Sequence, residues 1–164
     1  MTEKNYWLVK SEPATFSMED FLTSPHQTTF WDGVRNFQAR NYLRDQIKVG
    51  DHVIIYHSSA SPSGVAGFST VVRGSEPDAT ALHLNSRNFD PKHTLASPIW
   101  FGVTLGNPIK SKSFLSLSLL KQTKGLSEML LLRKGQRLSV MPILHKEYSI
   151  IWELAGLPNE NLGH

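Results

Sequence analysis

The segment Trp31-Asp32-Gly33-Val34-Arg35-Asn36-Phe37-Gln38-Ala39-Arg40 places a large aromatic, a carboxylate, a glycine, guanidinium groups and two side-chain amides within one short window. Gly33 marks a change of chain direction, because glycine tolerates backbone angles that other residues avoid. Beyond it Ala39, Tyr42 and Leu43 recur at i, i+3 and i+4, so the window reads as a turn feeding a helix. A different face of that helix carries Asn36, Arg40 and Arg44. Asn36 then stands at the helix entrance, where backbone N–H groups lack partners. Polar recognition groups gathered beside an aromatic at such a turn make the window a candidate site.

Working outward, Tyr6-Trp7-Leu8-Val9-Lys10 is an aromatic and β-branched run interrupted by Ser11-Glu12-Pro13, which predicts a strand and a turn. Ser17 is placed to cap a short helix, with Glu19 and Asp20 in its first turn and Pro25 ending it. Downstream, Val49-Gly50-Asp51 turns the chain into Val53-Ile54-Ile55-Tyr56-His57-Ser58, whose continuous apolar run predicts a strand buried on both faces. Residues 65–73 and 99–105 predict two more strands, separated over residues 74–98 by a surface excursion rich in Ser, Asn, Asp and Pro. Gly106-Asn107-Pro108 predicts a turn. The leucine-rich residues 114–120 and 126–132 predict two short helices with stops at Gly125 and Gly135. Residues 137–143 predict a short strand. Leu144, Tyr148, Ile151, Trp152 and Ala155 share one face of a final helix that Gly156 and Pro158 close. The outline is α+β, with strands from both ends of the chain.

A chain of 164 residues with 40% hydrophobic content builds one core, so a single domain is expected over residues 1–158, with 159–164 as a tail. No apolar run approaches the length of a membrane span, and Met1-Thr2-Glu3-Lys4-Asn5 lacks the basic-then-apolar layout of a secretory leader. The expectation is a soluble intracellular protein with no membrane partner, monomeric in default of any oligomer signal. The absence of a nuclear-type basic cluster points to a bacterial cytoplasm, and a nuclear location is expected if the source is eukaryotic. With no cysteine, disulfides, thiolate zinc sites and cysteine nucleophiles are excluded. The net charge of +3 is unevenly spread. Residues 1–48 carry six Lys/Arg against six Asp/Glu, whereas residues 108–146 carry eight (Lys110, Lys112, Lys121, Lys124, Arg133, Lys134, Arg137, Lys146) against Glu128 alone. Such a segment is either a solvated face or a polyanion-binding one.

Phosphate-loop, dinucleotide, nucleophile-elbow and zinc-protease motifs are all missing. The seven histidines are scattered, so neither a metal site nor a cofactor is expected, and no catalytic residue is assigned. Lys10 with Glu12, and His57 beside Ser58, are neighbours fit for acid–base work, but such pairs are commonly solvated or structural.

Four motifs in order, Tyr6-Trp7-Leu8-Val9-Lys10-Ser11-Glu12-Pro13, the window from Trp31 to Arg40, Gly50-Asp51 through Tyr56-His57-Ser58, and Arg137-Leu138-Ser139-Val140, together resemble the EVE domain across essentially the whole chain. The resemblance implies a PUA-like fold, a curled mixed β-sheet or barrel flanked by helices, related to the YTH, ASCH and SRA-type modules. It also implies binding of a modified base or nucleotide, such as modified cytosine or adenine, in DNA or RNA. A base reader needs aromatic surface for stacking, directional groups for the base edge and cations for phosphate. Trp7, Trp31 and Tyr56 are candidates for stacking. Ser11, Asn36, Gln38 and Ser139 are candidates for the base edge. Lys10, Arg35 and Arg137 would meet phosphate or the carbonyl side, and His57 and Ser58 complete the set at a strand end. Each has a structural alternative: Trp7 and Tyr56 as core residues, Asn36 as a helix cap, Asp32 as a partner of Arg35. Phe37 stands where the family pattern has tyrosine and Met141 where it has glutamine, so neither carries a base-edge role. Two rival readings remain open. One is an ASCH-like hydrolase of a modified nucleoside, with Lys10 and Glu12 supplying acid–base chemistry. The other is a protein-interaction module built on residues 114–132.

Overall fold

A computed structural model of the protein describes residues 4–159. Of the expected tail, only Asn159 is among them. Six strands form a mixed, open sheet in the order β2-β5-β4-β3-β1-β6. They are β1 (Tyr6–Ser11), β2 (Thr29–Phe30), β3 (His52–His57), β4 (Gly64–Pro77), β5 (Phe101–Ser116) and β6 (Val140–Ile143). The sheet is antiparallel except where β1 runs parallel to β3, Leu8 beside Ile54. β3 is buried along almost its whole length, as its apolar run predicts. The helices are α1 (Met18–Leu22), α2 (Phe37–Asn41), α3 (Leu117–Gln122) and α4 (His145–Leu154), and a π-helical turn over Tyr42–Gln46 extends α2. The architecture is a PUA-like α+β fold.

Strand alternation assigns the helices to opposite faces. Phe68 of β4 points to one face and meets Tyr148 and Trp152 of α4, with ring centroids 5.7 and 4.9 Å away. Its neighbour Gly67 points to the other face, where α1 lies so close that an added Cβ would stand 2.6 Å from Met18 Sδ. Only a residue without a side chain lets the two elements approach this closely. α1 begins with the predicted cap: Ser17 Oγ accepts the Asp20 N–H at 3.1 Å and the Asp20 carboxylate accepts the Ser17 N–H at 2.8 Å. One hydrophobic core joins Trp7, Leu8, Phe21, Leu43, Phe68 and Trp152.

Three expectations need correction. Gly106-Asn107-Pro108 does not turn the chain, because β5 runs straight through it and pairs with β4 from Pro77 to Gly64. Asn107 adopts a left-handed φ of 51° and the ladder shifts register nearby, so the signal marks an irregularity rather than an end. The long ladder supplies hydrogen bonds that a local turn would forfeit. Residues 114–116 stay in β5, so the first leucine-rich helix is only α3. The second shrinks to a single 3-10 turn, Leu130–Leu132, whose Leu131 is buried.

Candidate functional site

A cleft of about 410 Å³ opens beyond the C-terminal end of β1, where the chain from β2 into α2 passes beside it. Phe16, Phe30 and Trp31 give it aromatic walls, and Lys10, Ser11, Glu12, Asp32, Arg87 and Asn88 supply its polar lining. Trp31 is held by its backbone N–H, which donates to the Val103 carbonyl at 2.8 Å, and its ring meets Phe16 edge-on at 6.0 Å.

Gly33 sits in the turn with φ +78°, and an added Cβ would press on Asn88 Oδ1 at 3.1 Å. Its N–H donates to Asp78 Oδ2 at 2.9 Å. The same carboxylate, wholly buried, accepts from Arg35 at 3.0 Å and from the backbone and hydroxyl of Thr80 at 2.9 and 2.6 Å. Burial alone would raise the Asp78 pKa, but these donors outweigh it and hold the carboxyl below its ordinary value. The rest of the Arg35 fork bonds the Asn88 carbonyl at 2.8 Å, and its guanidinium lies 5.2 Å over Trp100. Arg35 is thus a clamp that fastens the excursion of residues 78–100 to the turn. The excursion is also pinned from within: the Trp100 indole donates to Asp90 at 2.7 Å, and His93 Nδ1 accepts two backbone N–H groups.

Among the described residues, several lining side chains make no ion pair and no hydrogen bond to another residue. The indole N–H of Trp31, a largely buried residue, donates to no protein group and is left available to a ligand or solvent. Ser11 Oγ is shielded and unpartnered. Lys10, Glu12, Asp32 and Arg87 form no ion pair, although both signs of charge line the same cleft. Burial lowers the Lys10 pKa; it raises that of Asp32, where the charge of Asp78 adds to the effect and Arg35 and Asp32's own backbone N–H oppose it.

Of the residues singled out in the sequence, Lys10, Ser11 and Trp31 meet at this cleft. Ser139 lies beside it, its carbonyl accepting the Lys10 N–H at 2.9 Å, and Arg137 is exposed two residues earlier. Ser58 N–H binds the Ser11 carbonyl at 2.9 Å. His57 Nε2 accepts the first N–H of α1, from Met18, at 3.1 Å, and burial pushes its pKa down. Tyr56 is buried under Lys10, whose Nζ stands 5.8 Å from its ring. Trp7 is a core residue whose indole donates to Asp51 at 2.9 Å. Asn36 caps α2 by accepting the Ala39 N–H at 3.0 Å, and Gln38 is exposed and reaches Tyr42. The two departures have structural roles: Phe37 stacks on Trp100 at 4.8 Å, and Met141 is fully buried opposite Leu8. Phe16, Phe30, Arg87 and Asn88 were missed as site residues. Arg87 and Asn88 carry no motif, and nothing in the chain order says that the excursion returns to the turn at Gly33.

An open mixed sheet with helices on both faces and a cleft at the end of its parallel pair defines a PUA-like domain with a ligand-sized site. The EVE domain model matches residues 5–154, and the chain belongs to the EVE domain family. It is 36% identical to human thymocyte nuclear protein 1, over 92% of this chain and 73% of that protein. Among solved structures, a Pseudomonas putida protein is 41% identical with a TM-score of 0.86, covering 92% of this chain and 99% of that one. The human THYN1 protein, solved in complex with 5-methylcytosine containing DNA, is 34% identical with a TM-score of 0.85, covering 94% and 99%.

Proposed function

We propose that the protein binds DNA and takes a modified base, in the first instance a modified cytosine, into the cleft at Trp31. The observation that carries this reading is the cleft itself: aromatic walls, an unbonded indole N–H and unpaired charges of both signs, in a fold shared with the human protein that was solved with 5-methylcytosine DNA. Aromatic walls suit the two faces of a base, and Arg87 and Arg137 stand exposed where phosphates would pass. Stacking contributes about 1–3 kcal/mol per base. Extruding a base from a duplex costs a few kcal/mol, and one methyl in an apolar pocket contributes about 1–3 kcal/mol. Single strands or weakened duplexes are therefore the preferred targets. Modified RNA and N6-methyladenine fit the same chemistry and belong in the same comparison.

The test is an anisotropy titration of short DNA and RNA strands carrying cytosine, 5-methylcytosine, 5-hydroxymethylcytosine or N6-methyladenine, at two salt concentrations. A preference for one modified base, lost in Trp31→Ala, is expected. Because that truncation also opens the core, Arg87→Ala serves as the second variant. It should weaken all strands alike and reduce the salt slope by about one. Equal affinity for modified and unmodified strands in the wild type would remove the modified-base reading.

A further inference from the structure

The lining of the cleft carries a more specific consequence, which rests on the base-binding reading above. Glu12 and Asp32 are both exposed at the cleft, and neither bonds to Lys10 or Arg87, the cations lining the same space. Carboxylates accept hydrogen bonds and donate none when ionised. Directly beside Asp32 in the chain, Trp31 offers the opposite function, an unbonded indole N–H that can only donate. A ligand matching this lining presents N–H donors to the carboxylates and a carbonyl to the indole.

We propose that Asp32 and Glu12 read the exocyclic amine of a cytosine-type base, and so exclude thymine and uracil. Cytosine offers a 4-amino donor with a ring carbonyl on the same edge, whereas thymine turns its O4 acceptor toward the carboxylates. That places two acceptors face to face and leaves both unpaired, which is how a polar site rejects a near-isosteric ligand. A 5-substituent projects from the ring at a different position from the amine, so amine recognition and modification recognition are separate properties of one cleft.

The experiment uses single-stranded DNA 11-mers with one central cytosine, 5-methylcytosine, thymine or abasic site, titrated against the wild type, Asp32→Asn and Glu12→Gln. Both substitutions are isosteric at exposed positions, and equal thermal midpoints confirm the fold. The wild type should prefer the two cytosine strands over thymine by about tenfold or more. At least one variant should bring that ratio below about threefold, because an amide can rotate to donate to O4, while affinity for the abasic strand stays unchanged. An unchanged cytosine-to-thymine ratio in both variants overturns the assignment even if modified bases are still preferred. Conversely, equal binding of cytosine and 5-methylcytosine, both above thymine, removes the modification reading and leaves the amine assignment standing. No binding of any strand removes both.

Discussion

Two clefts of similar volume, about 410 and 470 Å³, lie at opposite ends of β1. The first ends on Lys10, Ser11 and Glu12, and the second begins at Lys4, Asn5 and Tyr6. Their difference is chemical rather than geometric. The second is walled by Trp7, Pro142, Ile143 and Leu144, and no carboxylate lines it. Two of its donors are committed, the Trp7 indole to Asp51 and the Leu144 N–H to the buried Glu147 at 2.8 Å, while Lys4, which forms no ion pair among the described residues, and Gln46 also line it. Tyr6 lies in stacks with His52 at 5.3 Å and His145 at 4.9 Å. In the first cleft two carboxylates, Glu12 and Asp32, and two cations, Lys10 and Arg87, line one space without pairing with each other. Similar volumes thus go with different chemistry: of the two, only the first cleft sets carboxylates beside cations.

The largest effect should come from Asp78→Ala. It leaves Arg35, Gly33 and Thr80 without their shared acceptor and releases the excursion that carries Arg87 and Asn88. Urea denaturation should show a loss of about 3–5 kcal/mol, as for breaking a buried pair from one side. Binding at the first cleft should fall with it, and retained binding would mean that the excursion does not build the site. Trp7→Phe probes the other end of β1. It removes the indole bond to Asp51, whose carboxylate keeps the Asn5 and Lys48 N–H groups, and should cost about 1–3 kcal/mol. Nucleic-acid affinity should change less than about twofold at equal folded fraction, because Trp7 does not line the first cleft; a larger change would blur the distinction between the two ends.

The smallest effect is a pH dependence. His57 has a folded pKa below its ordinary 6.5, because burial disfavours its charged form, and its neutral Nε2 accepts the Met18 N–H. Between the two values the unfolded chain binds more protons, so the contribution is complete above about pH 6.5 and declines as pH falls toward the folded pKa. His57→Gln should flatten the fall in urea midpoint over that range. An unchanged slope would show that this contact does not hold α1 beside the first cleft.

Much of the fold is legible because its cues are local. The apolar run from Val53 sets a buried strand, Ser17 caps α1, and the spacing of Tyr148, Ile151 and Trp152 sets the face of α4. The β5 turn signal misleads because pairing with β4, distant in sequence, overrides the preference of Asn107. Among the groups lining the first cleft, Trp31, Ser11 and Lys10 are legible in the sequence from type and motif. Trp7 and Arg35 are equally suggestive as residues, yet one is committed to Asp51 and the other to Asp78 and Asn88.

By itself the sequence determined the kinds of element, the single aromatic-and-amide window, the absence of cysteine chemistry and the family resemblance. Those depend on residue identity and short-range spacing, which chain order preserves. Tertiary structure alone decided which charged and polar groups are already paired. Pairing depends on long-range contacts, 43 residues apart for Arg35 and Asp78, that bring the excursion back to Gly33 and leave the side chains of Trp31, Asp32 and Glu12 without a hydrogen bond to another residue.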